Sequence, residues 1–116
     1  MGERKRLICD AALLQERGKG VRFSVDRLGR LLPAFVIRYE GRVHAYLNRC
    51  AHISVQLDWI EGEFFDFSGL YLICSTHGAS YLPDSGRCVA GPCAGRGLER
   101  VPIEESEGKV YLILEQ

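Results

Sequence analysis

Cys50-Ala51-His52 and Cys74-Ser75-Thr76-His77 form the pattern C-x-H, 21 residues, C-x-x-H. Each short segment offers one soft thiolate and one imidazole. A common zinc finger groups Cys with Cys and His with His, and ribbons or knuckles use mostly Cys. One of each, twice, lets two parallel loops place both thiolates on one side of a bound object and both imidazoles on the other. A two-iron cluster with Cys on one iron and His on the second demands that sorting. Structural zinc on the same four residues is the alternative.

Outward from these loops, the segment from Asn48 to Gly95 is dense in Gly, Pro, Cys and His, while strand-forming runs lie on both sides. Val21-Arg22-Phe23-Ser24-Val25 alternates apolar with polar residues, the period of a half-buried strand. Ala34 to Tyr39 and Arg42 to Leu47 flank Glu40-Gly41, which reads as a hairpin turn. Leu70-Tyr71-Leu72-Ile73-Cys74 reads as a buried strand feeding a loop, and Val110 to Leu114 as a closing strand after Glu107-Gly108-Lys109. Only Asp10 to Arg17 suggests a helix, with Asp10 as N-cap and Gly18 as terminator. The expectation is a single all-β domain of about eight to ten short strands.

The chain has 116 residues, with 15 Lys/Arg against 15 Asp/Glu and 47% hydrophobic residues. These values describe a soluble globular protein of one domain and exclude a multidomain enzyme, a polybasic nucleic-acid binder and a disordered acidic tail. The zero charge hides a partition. Residues 1 to 60 hold 11 Lys/Arg and 6 Asp/Glu, and residues 61 to 116 hold 4 and 9. Either the surface is dipolar and orients a partner, or the halves neutralise each other in the fold.

Five cysteines cannot all pair within one chain, so thiols must be reduced or metal-bound. Met1 to Arg6 leads only into Leu7-Ile8-Cys9, too short for a secretory signal, and no apolar window approaches a membrane span. A reducing cytoplasm is the expected compartment.

The two ligand loops resemble those of the Rieske iron-sulfur proteins, whose signature is C-x-H followed by C-x-x-H. Asn48 to His52 is similar to the first cluster loop, and Cys74 to Tyr81, with an aromatic four residues after the histidine, to the second. Asp84-Ser85-Gly86-Arg87 resembles the family's turn, Gly91-Pro92 its proline loop, and the tail from Leu98 to Leu112 its closing strands. The resemblance covers about residues 20 to 116. It implies the Rieske fold, an antiparallel β-sandwich base with an inserted small cluster-binding subdomain. Within one domain, 1–116, the base takes about 1–47 and 96–116 and the cluster-binding part about 48–95. It also implies one 2Fe-2S cluster, with Cys50 and Cys74 on one iron and His52 and His77 on the other. Tyr81, Gly91 and Pro92 would support them from the surrounding shell. Such centres lie at about −150 to +300 mV, against about −400 mV for plant-type clusters.

Departures from the family sharpen the subtype. High-potential members join the ligand loops by a disulfide, and the corresponding positions here are Val55 and Thr76. They also place a serine, which donates to a cluster sulfur, where this chain has Ala79. Tyr81 retains a hydroxyl, so one donor can remain, and a potential in the lower half of the range follows. Cys88 and Cys93 bracket Val89 to Pro92 and can form a small disulfide, act as a redox-sensitive pair or stay packed thiols; packed thiols are the expectation. Cys9 has no assigned role and His44 reads as an ordinary sheet residue. Trp59 and Phe64-Phe65-Asp66-Phe67 suggest a hairpin whose aromatics cover the core, with any exposed ones available as an apolar docking patch. Lys and Arg at 4, 5, 6, 17 and 19 read as a solvated basic face.

The resemblance therefore implies a one-electron ferredoxin, taking electrons from a reductase and giving them to an oxygenase or similar acceptor. It is an electron carrier with no catalytic residues, its partners are proteins, and neither nucleic acid nor membrane is involved. An oxygenase catalytic subunit needs two more histidines and a carboxylate for its iron, and only His44 is left over. The alternative function is a Rieske-like redox-sensing or accessory domain that binds a partner protein.

Overall fold

The computed structural model describes residues 4–50, 55–76, 78–91 and 96–114. Within them lie nine strands: β1 (Arg4–Asp10), β2 (Val21–Arg27), β3 (Arg30–Tyr39), β4 (Arg42–Leu47), β5 (Leu72–Ile73), β6 (Ser80–Tyr81), β7 (Cys88–Ala90), β8 (Ile103–Ser106) and β9 (Lys109–Leu114). They form three antiparallel sheets, in the orders β1-β9-β8, β2-β3-β4 and β5-β6-β7.

Two-residue turns set the register of the long strands. Leu28-Gly29, Glu40-Gly41 and Glu107-Gly108 each carry positive φ at both central positions, and they join the pairs Arg27↔Arg30, Tyr39↔Arg42 and Ser106↔Lys109. That is the turn whose twist matches the right-handed twist of paired strands. The hairpin expected at Glu40-Gly41 is one of the three.

The β2-β3-β4 sheet is a middle layer with a core on each face. Ala34 and Val36 of β3, with Ala45 and Leu47 of β4, pack against Cys9, Val101, Val110 and Leu112 of the β1-β9-β8 side. Phe35, Ile37 and Tyr46 point the other way and pack with Leu57, Phe64, Leu72 and Tyr81. Strand side chains alternate between faces, so a strand covered on both sides must be apolar at every position. Residues 34 to 37 are accordingly all fully buried. The Phe35 and Phe64 rings stack with centroids 3.9 Å apart. Gly20 stands beside this pair: a Cβ there would lie 2.8 Å from both Ile37 Cγ2 and Phe64 Cδ2.

Ion pairs link the two charged halves of the chain within the fold. Four of the six ion pairs among the described residues join the basic half to the acidic half: Lys5–Glu104, Arg27–Glu99, Arg38–Glu105 and Arg49–Glu99. These pairs offset part of the partition, and part of the expected basic face is an edge strand, β1, whose Lys5 pairs with Ile113.

Two expectations fail locally. Residues 10–17 hold one turn of 3-10 helix, Ala11–Leu13, and Asp10 makes no side-chain cap bond. Leu14 must be extended to enter the core, Ala11 N–H donates to the Gly108 carbonyl, and the Leu14 carbonyl accepts from Arg38 Nε at 2.8 Å. Tertiary partners thus satisfy backbone groups that a short helix would have paired internally, and a two-turn helix has little stability of its own. The strand expected over Leu70 to Cys74 is confined to Leu72–Ile73, with Leu70 and Tyr71 exposed on a hairpin that Phe65 and Leu72 bridge.

Candidate functional site

Both cysteines of the ligand pattern are buried in the core on the β5-β6-β7 side. Cys50 follows β4, and its N–H donates to the Val55 carbonyl at 2.7 Å, closing the first loop at its base. Cys74 follows β5. Its N–H donates to the Ala79 carbonyl at 2.9 Å and its own carbonyl accepts from Gly78 N–H at 2.8 Å, closing the second. Neither sulfur is in a disulfide. His52, His77 and Pro92 lie outside the described residues, as does Cys93.

Tyr81 on β6 is fully buried, and its hydroxyl lies 3.4 Å from Cys50 Sγ. Against a thiolate the hydroxyl is the donor, and a hydrogen bond to a charged acceptor is worth about 1.5 to 3 kcal/mol. Gly91, with φ of 93°, brings the chain after β7 against the second loop. A Cβ there would lie 2.9 Å from Ala79 Cα, so only glycine permits the approach. Tyr46, on the neighbouring β4, donates its hydroxyl to the Pro83 carbonyl at 2.7 Å, and burial pushes its phenol up to about 12.

A buried polar cluster at the root of the first loop escaped the sequence reading. Asp58 is 3% exposed and accepts from Arg22 Nε at 2.8 Å, Asn48 Nδ2 at 3.0 Å and Gly62 N–H at 2.9 Å. Burial alone would raise its carboxyl, but the bonds from Arg22, Asn48 and Gly62 outweigh it and hold the group below the ordinary range. Asn48 Oδ1 in turn accepts from Leu57 N–H at 2.9 Å. The available signal was an Asn two residues before Cys50; nothing in the sequence marked Asp58 or linked Arg22 to it.

The aromatic stretch between the loops divides. Phe64 is buried against Phe35 and Phe65 stacks partly on Tyr39, whereas Trp59 and Phe67 are exposed. Trp59 Nε1 donates to Thr76 Oγ1 at 3.0 Å, which ties it to the second loop. His44 is a half-buried β4 residue opposite Ile37, and burial, aided by Arg100, lowers its pKa, as suits a sheet histidine kept neutral. Cys9 is a buried thiol whose pKa burial raises. For Cys88 the expectation of a packed thiol is corrected, since it is disulfide-bonded.

Comparison with known proteins gives a consistent picture. The family model described as the Rieske [2Fe-2S] domain matches residues 5–107. Among solved structures the chain is similar to a ferredoxin of Sphingomonas yanoikuyae B1, with 22% identity over 97% of this chain and 100% of that one and a TM-score of 0.73. It is similar to the ferredoxin of carbazole 1,9a-dioxygenase from Nocardioides aromaticivorans IC177, at 20% identity, 96% and 98% coverage and a TM-score of 0.70. The terminal oxygenase of carbazole 1,9a-dioxygenase from Novosphingobium sp. KA1 shares 26% identity with a TM-score of 0.73; the match covers 98% of this chain and 30% of the oxygenase. None of the curated proteins compared with it matches the chain.

Proposed function

The chain belongs to the Rieske [2Fe-2S] domain family, and from that membership we propose that it is a ferredoxin-type carrier, moving single electrons from a reductase to an oxygenase or similar acceptor. One Rieske-type 2Fe-2S cluster is the group such a domain carries. When bound, the cluster supplies a one-electron couple at about −150 to +300 mV. Cys50 and Cys74 are assigned as its thiolate ligands, and His52 and His77 as its imidazole ligands.

The observation that carries the assignment is the pair of buried thiols in one core, with the Tyr81 hydroxyl 3.4 Å from Cys50 Sγ. Two thiols, a hydroxyl donor and loops closed by their own backbone bonds suit an anionic sulfur-ligated group. Tyr81 orients its hydroxyl toward Cys50, Gly91 brings the chain against the second loop, and the surrounding core of aromatic and aliphatic side chains excludes water from the sulfurs. Ala79, fully buried, offers no side-chain donor. A potential in the lower half of the range follows from having alanine at position 79 while Tyr81 keeps its hydroxyl.

The single domain divides, in this reading, into a base of 1–47 and 96–116 and a cluster-binding part of 48–95. The β5-β6-β7 sheet falls within the latter, while β3 and β4 supply the floor it packs on. Residence in the cytoplasm is part of the proposal; among the described residues no helix is long and apolar enough to cross a membrane. The disulfide at Cys88 favours a second reading, a redox-sensing or accessory domain, because thiols in that compartment are normally held reduced.

The test is the freshly purified protein. Two irons per chain and a rhombic paramagnetic signal on reduction are expected, with rapid reversible reduction by a ferredoxin reductase. A colourless zinc protein overturns the cluster ligation, and redox-dependent partner binding without turnover replaces the carrier by the sensor.

A further inference from the structure

The two ligand loops arise from different connections, one after β4 and one after β5, yet any group held by both requires them at a fixed separation. We propose that Leu57-Asp58-Trp59 is a positioning crossbar that sets this separation, tying each loop to the other and both to the β2-β3-β4 sheet. The inference deepens the cluster reading and rests on it.

Leu57 divides its backbone between the loops. Its N–H donates to Asn48 Oδ1 at the root of the first, and its carbonyl accepts from Ser75 N–H of the second at 3.0 Å. Asp58 fixes the bar to the framework. One carboxylate oxygen accepts from Asn48 and the other from Arg22 of β2, whose guanidinium also donates to the Asp58 carbonyl at 3.1 Å. Trp59 closes the far end, where its indole N–H reaches Thr76 Oγ1. Three consecutive residues thus reach Asn48 in one loop, Ser75 and Thr76 in the other, and Arg22 in the sheet.

Burial is graded along the bar. Leu57 is fully buried and Asp58 nearly so, while Trp59 is 75% exposed. An exposed tryptophan has little reason of its own to hold one orientation, and the bond to Thr76 supplies it. Asp58 is where polar bonds act most strongly, because a buried carboxylate deprived of one donor cannot turn to water. The outer end can be cut without opening the core, which makes it the place to test.

The experiment uses the iron-loaded full chain with Trp59→Phe, Thr76→Val and the double variant. Thr76→Ser serves as the conservative rescue and Phe67→Ala, on the exposed hairpin, as the control. Iron release to a chelator, the reduced-state paramagnetic spectrum, the midpoint potential and the melting temperature are read together. Each single variant is expected to release iron about three- to tenfold faster, the effect of one lost hydrogen bond, and to shift the spectrum and potential with little change in melting. The double variant should be no faster than either single one, since both remove the same bond. Thr76→Ser and Phe67→Ala should behave as the parent. Parent-like release and spectra in both single variants, or effects that multiply in the double, overturn the crossbar alone. A parent chain that loads no iron overturns the cluster reading and the crossbar with it.

Discussion

The two cores flanking the β2-β3-β4 sheet are built by different means. On the β1-β9-β8 side the packing is largely aliphatic, with Cys9 and a partly buried Phe23 among it, the strands are six or seven residues long at β1, β2, β4 and β9, and tight turns set the register. On the other side the strands are two or three residues long, and the core contains aromatics and cysteines. There, side chain to backbone bonds at Asn48, Asp58, Tyr46 and Asp66 do the work that ladders do elsewhere. The first region is stabilised by many interchangeable contacts. The second depends on a few polar side chains, each with named partners, so single substitutions there should change the site before they change the fold.

The largest expected effect breaks the boundary itself. Phe35 is fully buried, and its ring meets Phe64 and Tyr46 on the β5-β6-β7 side. Phe35→Ala should cost about 3 to 5 kcal/mol, measured by denaturant unfolding. A loss below about 1 kcal/mol would mean that the middle layer is not the shared floor.

Next comes acid sensitivity centred on Asp58. Its carboxyl is held below the usual range, so the stability it contributes is fully present above the unfolded value of about 4 and is lost as pH falls through the lower folded value. Glu99 and Glu105 act with the same sign through Arg27 and Arg38. Asp58→Asn should lower stability at neutral pH by about 2 to 4 kcal/mol and flatten the acid limb below pH about 4. An unchanged acid limb in that variant would remove Asp58 from the account.

Tyr81→Phe sharpens the comparison by leaving packing intact. Loss of a charge-assisted bond of about 1.5 to 3 kcal/mol, if it is made chiefly to the reduced state, should lower the midpoint by about 60 to 130 mV with little loss of stability. The opposite pattern, an unmoved potential and a destabilised fold, would make Tyr81 a packing residue only.

The smallest effect belongs to the framework. Leu28 is fully exposed with φ of 53°, a conformation that Asn adopts more readily. Leu28→Asn should raise stability by up to about 1 kcal/mol, read as a higher melting temperature, and leave iron content and potential unchanged.

Local chemistry carried much of this into the sequence. The hairpin at Glu40-Gly41 and the closing strand at Lys109–Leu114 were legible because turn residues and strand periods are short-range signals. The motif named Cys50, Cys74 and Tyr81, and the fold brings those three side chains into one core. β1 was not legible, since Arg4-Lys5-Arg6 reads as a solvated basic run until β9 is there to pair with it. The helix expected over 10–17 failed for the related reason that Leu14 belongs to a core built largely by residues far along the chain. Arg22, Asn48 and Asp58 are separated by up to 36 residues, and no spacing rule connects them.

By itself, then, the sequence determined the all-β class, the C-x-H and C-x-x-H pattern and the family it points to, because these rest on residue identity at fixed short separations. Only the tertiary structure decided that ion pairs join the two charged halves, that Cys88 is disulfide-bonded, and that Leu57-Asp58-Trp59 spans the two loops. Those outcomes depend on which distant groups meet. A buried polar atom takes whichever partner the fold brings within about 3 Å, and that choice is made by packing rather than by order along the chain.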